Sequence, residues 1–214
     1  VLCTEVVAED GKYKITDFAP RFENYDRHYR PLMLVRKIEP LKSVPKIKVI
    51  CDPRGEYGKV KPEVMAGSSH LRYTGFEQPV RLSTNISLSY ILEEKESQLN
   101  EPIYLFLTWG VPLEAPIVST AEEFLDKTVN YWRDWVRHCT IGPLWQDAVI
   151  RSALTLKMHQ YEDTGAITAS TTTSLPEHDG SGRNWDYRYC WMRDTYYTLN
   201  ALSSIGQFEE LEKY

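Results

Sequence analysis

The 214-residue chain has no apolar run approaching the roughly 18–20 residues that a membrane-spanning helix needs. No signal peptide is visible, and a membrane partner is not expected. Cysteine is sparse: Cys3, Cys51, Cys139 and Cys190 stand tens of residues apart, a pattern that fits neither a zinc site nor a redox pair. The reading for them is reduced, buried thiols and a cytoplasmic location. Histidines 28, 70, 138, 159 and 178 show no paired ligand spacing, and no glycine-rich phosphate loop occurs. No metal and no cofactor is therefore expected. Basic clusters are missing too. Net charge is −5 with the acids spread along the chain, which argues against nucleic acid, since tracking phosphates needs grouped Lys and Arg. The densest charged stretch, residues 93–96, reads as a solvated hairpin end.

Apolar residues make up 42 % of the chain, enough for a sizeable core, and tyrosine and tryptophan are abundant at 14 and 6. Several of these rings gather near the C-terminal end: Trp185, Tyr187, Tyr189, Trp191, Tyr196 and Tyr197. Sugar C–H faces stack on such rings, although for any one ring core packing is the plainer role.

The character of the sequence changes near residue 115. Before it the pattern is strand-like. Residues 12–18 are rich in β-formers; 32–38 alternate and stop at Pro40; 47–51 alternate and stop at Asp52-Pro53. Residues 82–92 hold period two longest and read as one half-buried antiparallel strand. Residues 103–109 are almost continuously apolar, as a strand buried on both faces would be. Many strands with Pro- and Gly-marked turns suggest a β-sandwich. After Pro112 and Pro116, Ser119 or Thr120 is placed to cap a helix with Glu122 and Glu123 in its first turn, ended by Gly142-Pro143. Phe124, Val129, Trp132 and Val136 share one side of it. A second helix is predicted over 144–161, with Trp145, Val149, Ala153, Leu156 and Met158 as its apolar positions. Residues 166–183 form a long loop or short hairpin. A third helix runs from about Trp191 to Ile205, closed by Gly206, and a fourth starts at Gln207. The domain reading is 1–115 β, 116–141 helical linker and 142–214 helical. Two helices and the start of another cannot close a domain of their own, so more protein is expected to follow.

The most informative segment is Gly182-Arg183-Asn184-Trp185-Asp186-Tyr187-Arg188-Tyr189-Cys190-Trp191-Met192-Arg193-Asp194. Arg, Asp and aromatic rings meet there at a loop-to-helix junction, the composition of a monosaccharide pocket. Carboxylates accept from sugar hydroxyls, guanidinium groups donate to them, and rings wall the site. The same residues would equally serve as a buried Arg–Asp network that pins the loop. Asp194 falls in the first helical turn, where the dipole favours its ionised form.

Residues 184–194 strongly resemble the first active-site motif of glycoside hydrolase family 15, which holds glucoamylases, glucodextranases and some prokaryotic trehalases. Residues 147–157, 164–167 and 172–177 resemble the same family's first barrel helix and following loop. Residues 17–22, 30–36 and 53–58 resemble the β domain of its prokaryotic members. The resemblance implies an N-terminal β-sandwich of supersandwich type, a helical linker and the first helices of an (α/α)6 barrel, truncated. It places Tyr187, Arg193 and Asp194 around the terminal glucose and Trp191 in its wall. Trp185, Asp186 and Arg188 are secondary candidates for sugar contact. Glu177 and Asp179 read better as structural or solvated acids than as catalytic ones. The family inverts the anomeric centre with two Glu residues from later loops, so both catalytic residues are expected beyond Tyr214 and the polypeptide alone is expected to be inactive. The partner implied is an α-glucan or α-glucoside, and a homo-oligomer of the full-length protein is left open. The leading reading is an exo-acting α-glucoside hydrolase of glucoamylase type. A trehalase rests on the same residues, and a non-catalytic carbohydrate-binding or structural β-sandwich is the alternative from another class.

Overall fold

The computed structural model describes residues 1–172 and 175–214; Thr173 and Ser174, which fall within the family-like run 172–177, lie outside the described residues. The chain divides into two compact units, Val1–Tyr131 and Trp132–Tyr214.

The first unit is an antiparallel β structure. Its strands are β1 (Leu2–Ala8), β2 (Gly11–Phe18), β3 (Phe22–Asn24), β4 (Arg27–Tyr29), β5 (Met33–Ser43), β6 (Lys46–Ile47), β7 (Glu63–Ala66), β8 (His70–Thr74), β9 (Val80–Thr84), β10 (Ser97–Gln98) and β11 (Ile103–Trp109), with the short helix α1 (Leu88–Leu92) between β9 and β10. Seven of them form one sheet in the order β1-β2-β5-β11-β9-β8-β7; β10 pairs with β6 and β3 with β4 in two small sheets. The apolar run 103–109 lies in the middle, with Leu105 opposite Arg36 of β5 and Thr84 of β9. Period two then sorts side chains to two faces. Ile38, Leu71, Tyr73, Val80, Leu82, Ile103 and Leu105 build one core, closed over by Ile47, Ile91 and Leu99. Phe18, Met33, Val35, Tyr104 and Phe106 build the other, closed by Ala121 of helix α2 (Ile117–Arg137). Phe106 is fully buried. A polar latch joins α2 to the sheet: Tyr104 Oη donates to Glu122 at 2.5 Å, and Lys37 Nζ lies 2.7 Å from the same carboxylate. Burial and the hydrogen bond to Glu122 push the Tyr104 phenol up to about 12.

Several sequence expectations need correction here. Residues 82–92 are not one strand. β9 stops at Thr84 because Asn85 imitates a strand neighbour: its Nδ2 donates to Pro102 O, and its Oδ1 accepts from Tyr104 N. The chain then folds into α1, so residues 93–96 end a helix, not a hairpin. β5 runs through Pro40. A register shift opposite Lys12 and Tyr13 leaves Leu41 unpaired, which accommodates a residue without an N–H. In 47–51 only Ile47 belongs to a strand. Helix α2 starts at Ile117, so Ser119 and Thr120 lie inside it and no acid occupies its first turn; it ends at Arg137, before Gly142. All four cysteines are free, yet Cys3 and Cys190 are exposed, against the expectation of burial.

The second unit contains the end of α2, then α3 (Gln146–His159), α4 (Met192–Ser204) and α5 (Phe208–Glu212). Gly206 takes φ +80°, and Gly206 N and Gln207 N close the last turn of α4 onto Ser203 O and Leu202 O. The predicted apolar face of α3 is only partly correct. Ala153 is buried, but Trp145 and Met158 are exposed, and the fully buried position is Lys157. Among the described residues no helix is long and apolar enough to cross a membrane.

Candidate functional site

The aromatic motif sits on a ladder that begins at the end of α3. The chain reverses there through a tight turn: Tyr161 N donates to Ala166 O, Gly165 N to Tyr161 O and Thr168 N to His159 O. Gly165 has φ +69°, and a Cβ at that position would lie 2.2 Å from Lys213 O, so glycine is required twice over. The strand-like segment after the turn pairs with the motif. Thr168 bridges Cys190, Ala169 N donates to Tyr189 O, Ser170 N to Tyr187 O, and Tyr187 N to Thr172 O. Farther out, Pro176 bridges Asn184 and Glu177 N donates to Arg183 O. Of the two forms expected for this stretch, long loop or short hairpin, it takes the hairpin, irregular and with the motif itself as the returning arm. Trp191 is extended, at φ −108° and ψ 135°, and α4 starts at the next residue with Asp194 in its first turn.

This backbone brings four of the named side chains into one contact chain. The Tyr187 ring meets Trp191 edge-on at 5.3 Å between centroids. The Arg193 guanidinium lies over the Trp191 ring at 5.8 Å, and its Nη2 donates to Asp194 Oδ2 at 3.2 Å. Arg193 is exposed, while Tyr187 and Asp194 are half-buried, so the group is open to solvent rather than sealed in an interior. Its chemistry is a carboxylate and a cation side by side against an indole, with a phenol beside them. Such a set accepts from and donates to neighbouring hydroxyls while offering an apolar wall.

The secondary candidates have partners of their own. Asp186 and Arg188 hold each other through two side-chain bonds of 3.0 and 2.9 Å, and Asp186 also accepts from Arg188 N. The side-chain bond from Arg188 holds the Asp186 carboxyl below its ordinary range. Trp185 Nε1 donates to Glu177 at 3.2 Å, and Arg183 lies 3.7 Å from the same acid. Glu177 and its neighbours therefore brace the hairpin tip. Cys190 donates to or accepts from Thr195 at 3.3 Å, and that bond lowers its thiol pKa. Among the described residues no three His, Cys, Asp or Glu side chains gather to hold a metal.

Sequence reasoning missed the group beneath this ladder. Lys157 Nζ lies 2.6 Å from Glu210 and 3.0 Å from Glu162, and Lys213 Nζ lies 2.6 Å from Glu162 and 3.2 Å from Glu210. Trp135 Nε1 donates to Glu210 at 3.0 Å, and Gln160 Nε2 to Glu210 O at 2.7 Å. Two cations and two anions balance, which allows the charges to leave water. Burial raises the Glu210 pKa, but the hydrogen bond and charge of Lys157, with Trp135 and Lys213, reverse it to a net lowering. The cluster fixes residues 157–162, where the hairpin carrying the motif begins. Its one signal in the sequence is a lysine four residues after Ala153, on the buried side of a helix.

The sequence model of glycosyl hydrolases family 15 matches residues 144–214. A trehalase of Thermoplasma volcanium is 32 % identical over all of this chain and 35 % of its own length. A trehalase of Thermoplasma acidophilum is 30 % identical over 98 % of this chain and 37 % of its own. One of Mycobacterium tuberculosis is 36 % identical over 63 % of this chain and 21 % of its own. The chain spans about a third of the length of the first of these relatives. No solved structure matches significantly. The match over the helical unit and the likeness along nearly the whole chain place this protein in glycosyl hydrolases family 15.

Proposed function

We propose that this chain is the sugar-gripping part of a trehalose-cleaving glycoside hydrolase, in which Tyr187, Arg193 and Asp194 hold one glucose ring and Trp191 walls it. On this reading residues 1–115 are the β-sandwich domain, 116–141 the helical linker, and 142–214 the opening helices of an (α/α)6 barrel. The observation that carries it is the Tyr187–Trp191–Arg193–Asp194 contact chain at the start of α4, inside the family match. Trehalase is preferred over the glucoamylase reading because the named relatives are trehalases and their likeness runs along nearly all of the chain. The glucose-gripping residues would serve either substrate.

The proposed chemistry is single displacement with inversion. A general acid protonates the glycosidic oxygen while a general base draws a proton from water on the opposite face, the two carboxyls standing about 6.5–9.5 Å apart. Neither role is assigned to a residue of this chain. Its contribution is to orient the ring, so that protonation and attack meet the same carbon. Arg193 and Asp194 would together bind adjacent hydroxyls, each bond strengthened by charge.

The test is an assay of the full-length protein on trehalose, maltose and isomaltose. Glucose release from trehalose in clear preference to the other two supports the reading. Preference for maltose or isomaltose returns the glucoamylase reading. No hydrolysis of any of them leaves a non-catalytic binding or structural module.

A further inference from the structure

Two arginines of the sheet unit face each other with no acid between them. Arg72 in β8 and Arg81 in β9 are register partners, and Thr108 of β11 is the partner of Arg81 on its other side. The three residues form one row across three strands, and side chains of one such row leave the sheet on the same face. Among the described residues neither guanidinium has an ion pair or a hydrogen bond. By contrast, Arg36, Arg54, Arg137, Arg183, Arg188 and Arg193 each hold a carboxylate. Like charges directly opposite on antiparallel strands repel, so the arrangement is unfavourable as it stands. Between and beside them lies a cavity of about 220 Å³, lined by Arg72, Arg81, Thr108, Pro79 and the turn at Gly110, Val111 and Pro112. His70, two residues before Arg72 and on the same face, has its pKa lowered by burial and by the charges of Arg81 and Arg72.

We propose that this cavity binds a small divalent oxyanion, of the phosphate or sulfate type. Each guanidinium offers a planar fork of donors matched to two oxygens, and two forks in register suit an anion with three or four oxygens. The charge count favours a dianion: a monocarboxylate cancels one arginine and leaves the other repelled by nothing but still unpaired. Thr108, 2 % exposed, lines the same cavity and brings a hydroxyl to it. The site belongs wholly to the sheet unit, so it stands or falls independently of the glycosidase reading.

The experiment is calorimetric titration of the full-length protein at ionic strength held constant with chloride. The probes are inorganic phosphate, sulfate, methyl phosphate and acetate. Saturable binding of phosphate or sulfate, with acetate at least tenfold weaker, is the expected result. Arg72→Gln and Arg81→Gln should each weaken it tenfold or more, and the double variant should remove it. Methyl phosphate reports the source of the anion: binding equal to inorganic phosphate means an ester is accepted, and tenfold weaker binding means the site closes around the free ion. Melting temperatures without added anion separate a ligand role from a packing role. In the proposal R81Q melts at or above the parent protein, because repulsion is relieved. Absence of saturable binding, equal response to acetate, parent-like binding by the double variant, or a lowered melting temperature for R81Q in anion-free buffer overturns the proposal.

Discussion

The two units of this chain are held together by different means. The sheet unit buries two apolar clusters, one on each face, around a central strand that is almost entirely enclosed. Among the described residues the helical unit buries only three apolar side chains, Ala153, Ile167 and Leu202, and alongside them Lys157, Gln160, Thr195, Thr198, Gln207 and Glu210. It leaves Trp145, Trp185, Tyr189, Met192, Tyr196 and Tyr197 exposed. Apolar burial is non-directional and tolerates small shifts, whereas a buried charge cluster is satisfied in one geometry only. The sheet unit is therefore built for bulk stability, and the helical unit for a defined placement of a few groups.

The sharpest way to break this contrast is Phe106→Ala. Emptying a fully buried aromatic position costs about 3–5 kcal/mol. Urea unfolding should show the loss, with the faster amide exchange confined to residues of the sheet unit. Next is Lys157→Met, which strands Glu162 and Glu210 with one cation and should cost the helical unit about 3 kcal/mol. Amide exchange at Ala169, Ser170 and Tyr187 is the readout, since those N–H groups bond across the ladder that the cluster supports. If the proposed function holds, Arg193→Gln in the full-length protein should leave both units folded and lower kcat/KM on trehalose by about tenfold to a hundredfold, the worth of a charge-assisted hydrogen bond. Asp17→Asn breaks the surface pair with Arg36, bonded at 2.6 and 2.8 Å, and should cost only about 0.5 kcal/mol of sheet-unit stability in a denaturation curve.

Acidity sharpens the same comparison. The Glu210 carboxyl is lowered below its ordinary 4.5. Its contribution is therefore complete above that value and is lost as pH falls through the folded-state pKa. Lys213 is raised above its ordinary 10.5: burial opposes this, but Glu162 and Glu210 outweigh it. Its contribution is complete below 10.5 and is lost as pH rises further. Protection factors of the ladder amides, the intrinsic exchange rates divided by the observed rates at the same pH, should be highest between these limits and fall below pH 4.5 and above pH 10.5.

What could be read from the sequence followed patterns that a single residue type enforces. Residues 103–109 announced a strand enclosed on both faces because they are almost continuously apolar, and Gly206 announced the end of α4 because glycine suits the positive φ found there. The motif residues were legible as a set, and the backbone does bring Tyr187, Trp191, Arg193 and Asp194 into contact. What escaped depends on partners distant in sequence. Alternation over 82–92 looks like a strand until Asn85 is seen bonded to Pro102 and Tyr104. The role of Lys157 shows only once Glu162 and Glu210 are seen around it, the latter 53 residues away. That Asp186 and Arg188, secondary candidates for sugar contact, bond to each other was likewise not legible from their types alone.

The place of β11 has a consequence for how the chain matures. It is the last strand in sequence, yet it lies between β5 and β9. During synthesis the earlier strands of the seven-stranded sheet can form two separate meanders, β1-β2-β5 and β9-β8-β7, each with a bare hydrogen-bonding edge where β11 will lie. They become one structure when the strand that ends at Trp109 clears the ribosome and inserts between them. Until then the nascent polypeptide carries two bare hydrogen-bonding borders, open to pairing with the wrong strand.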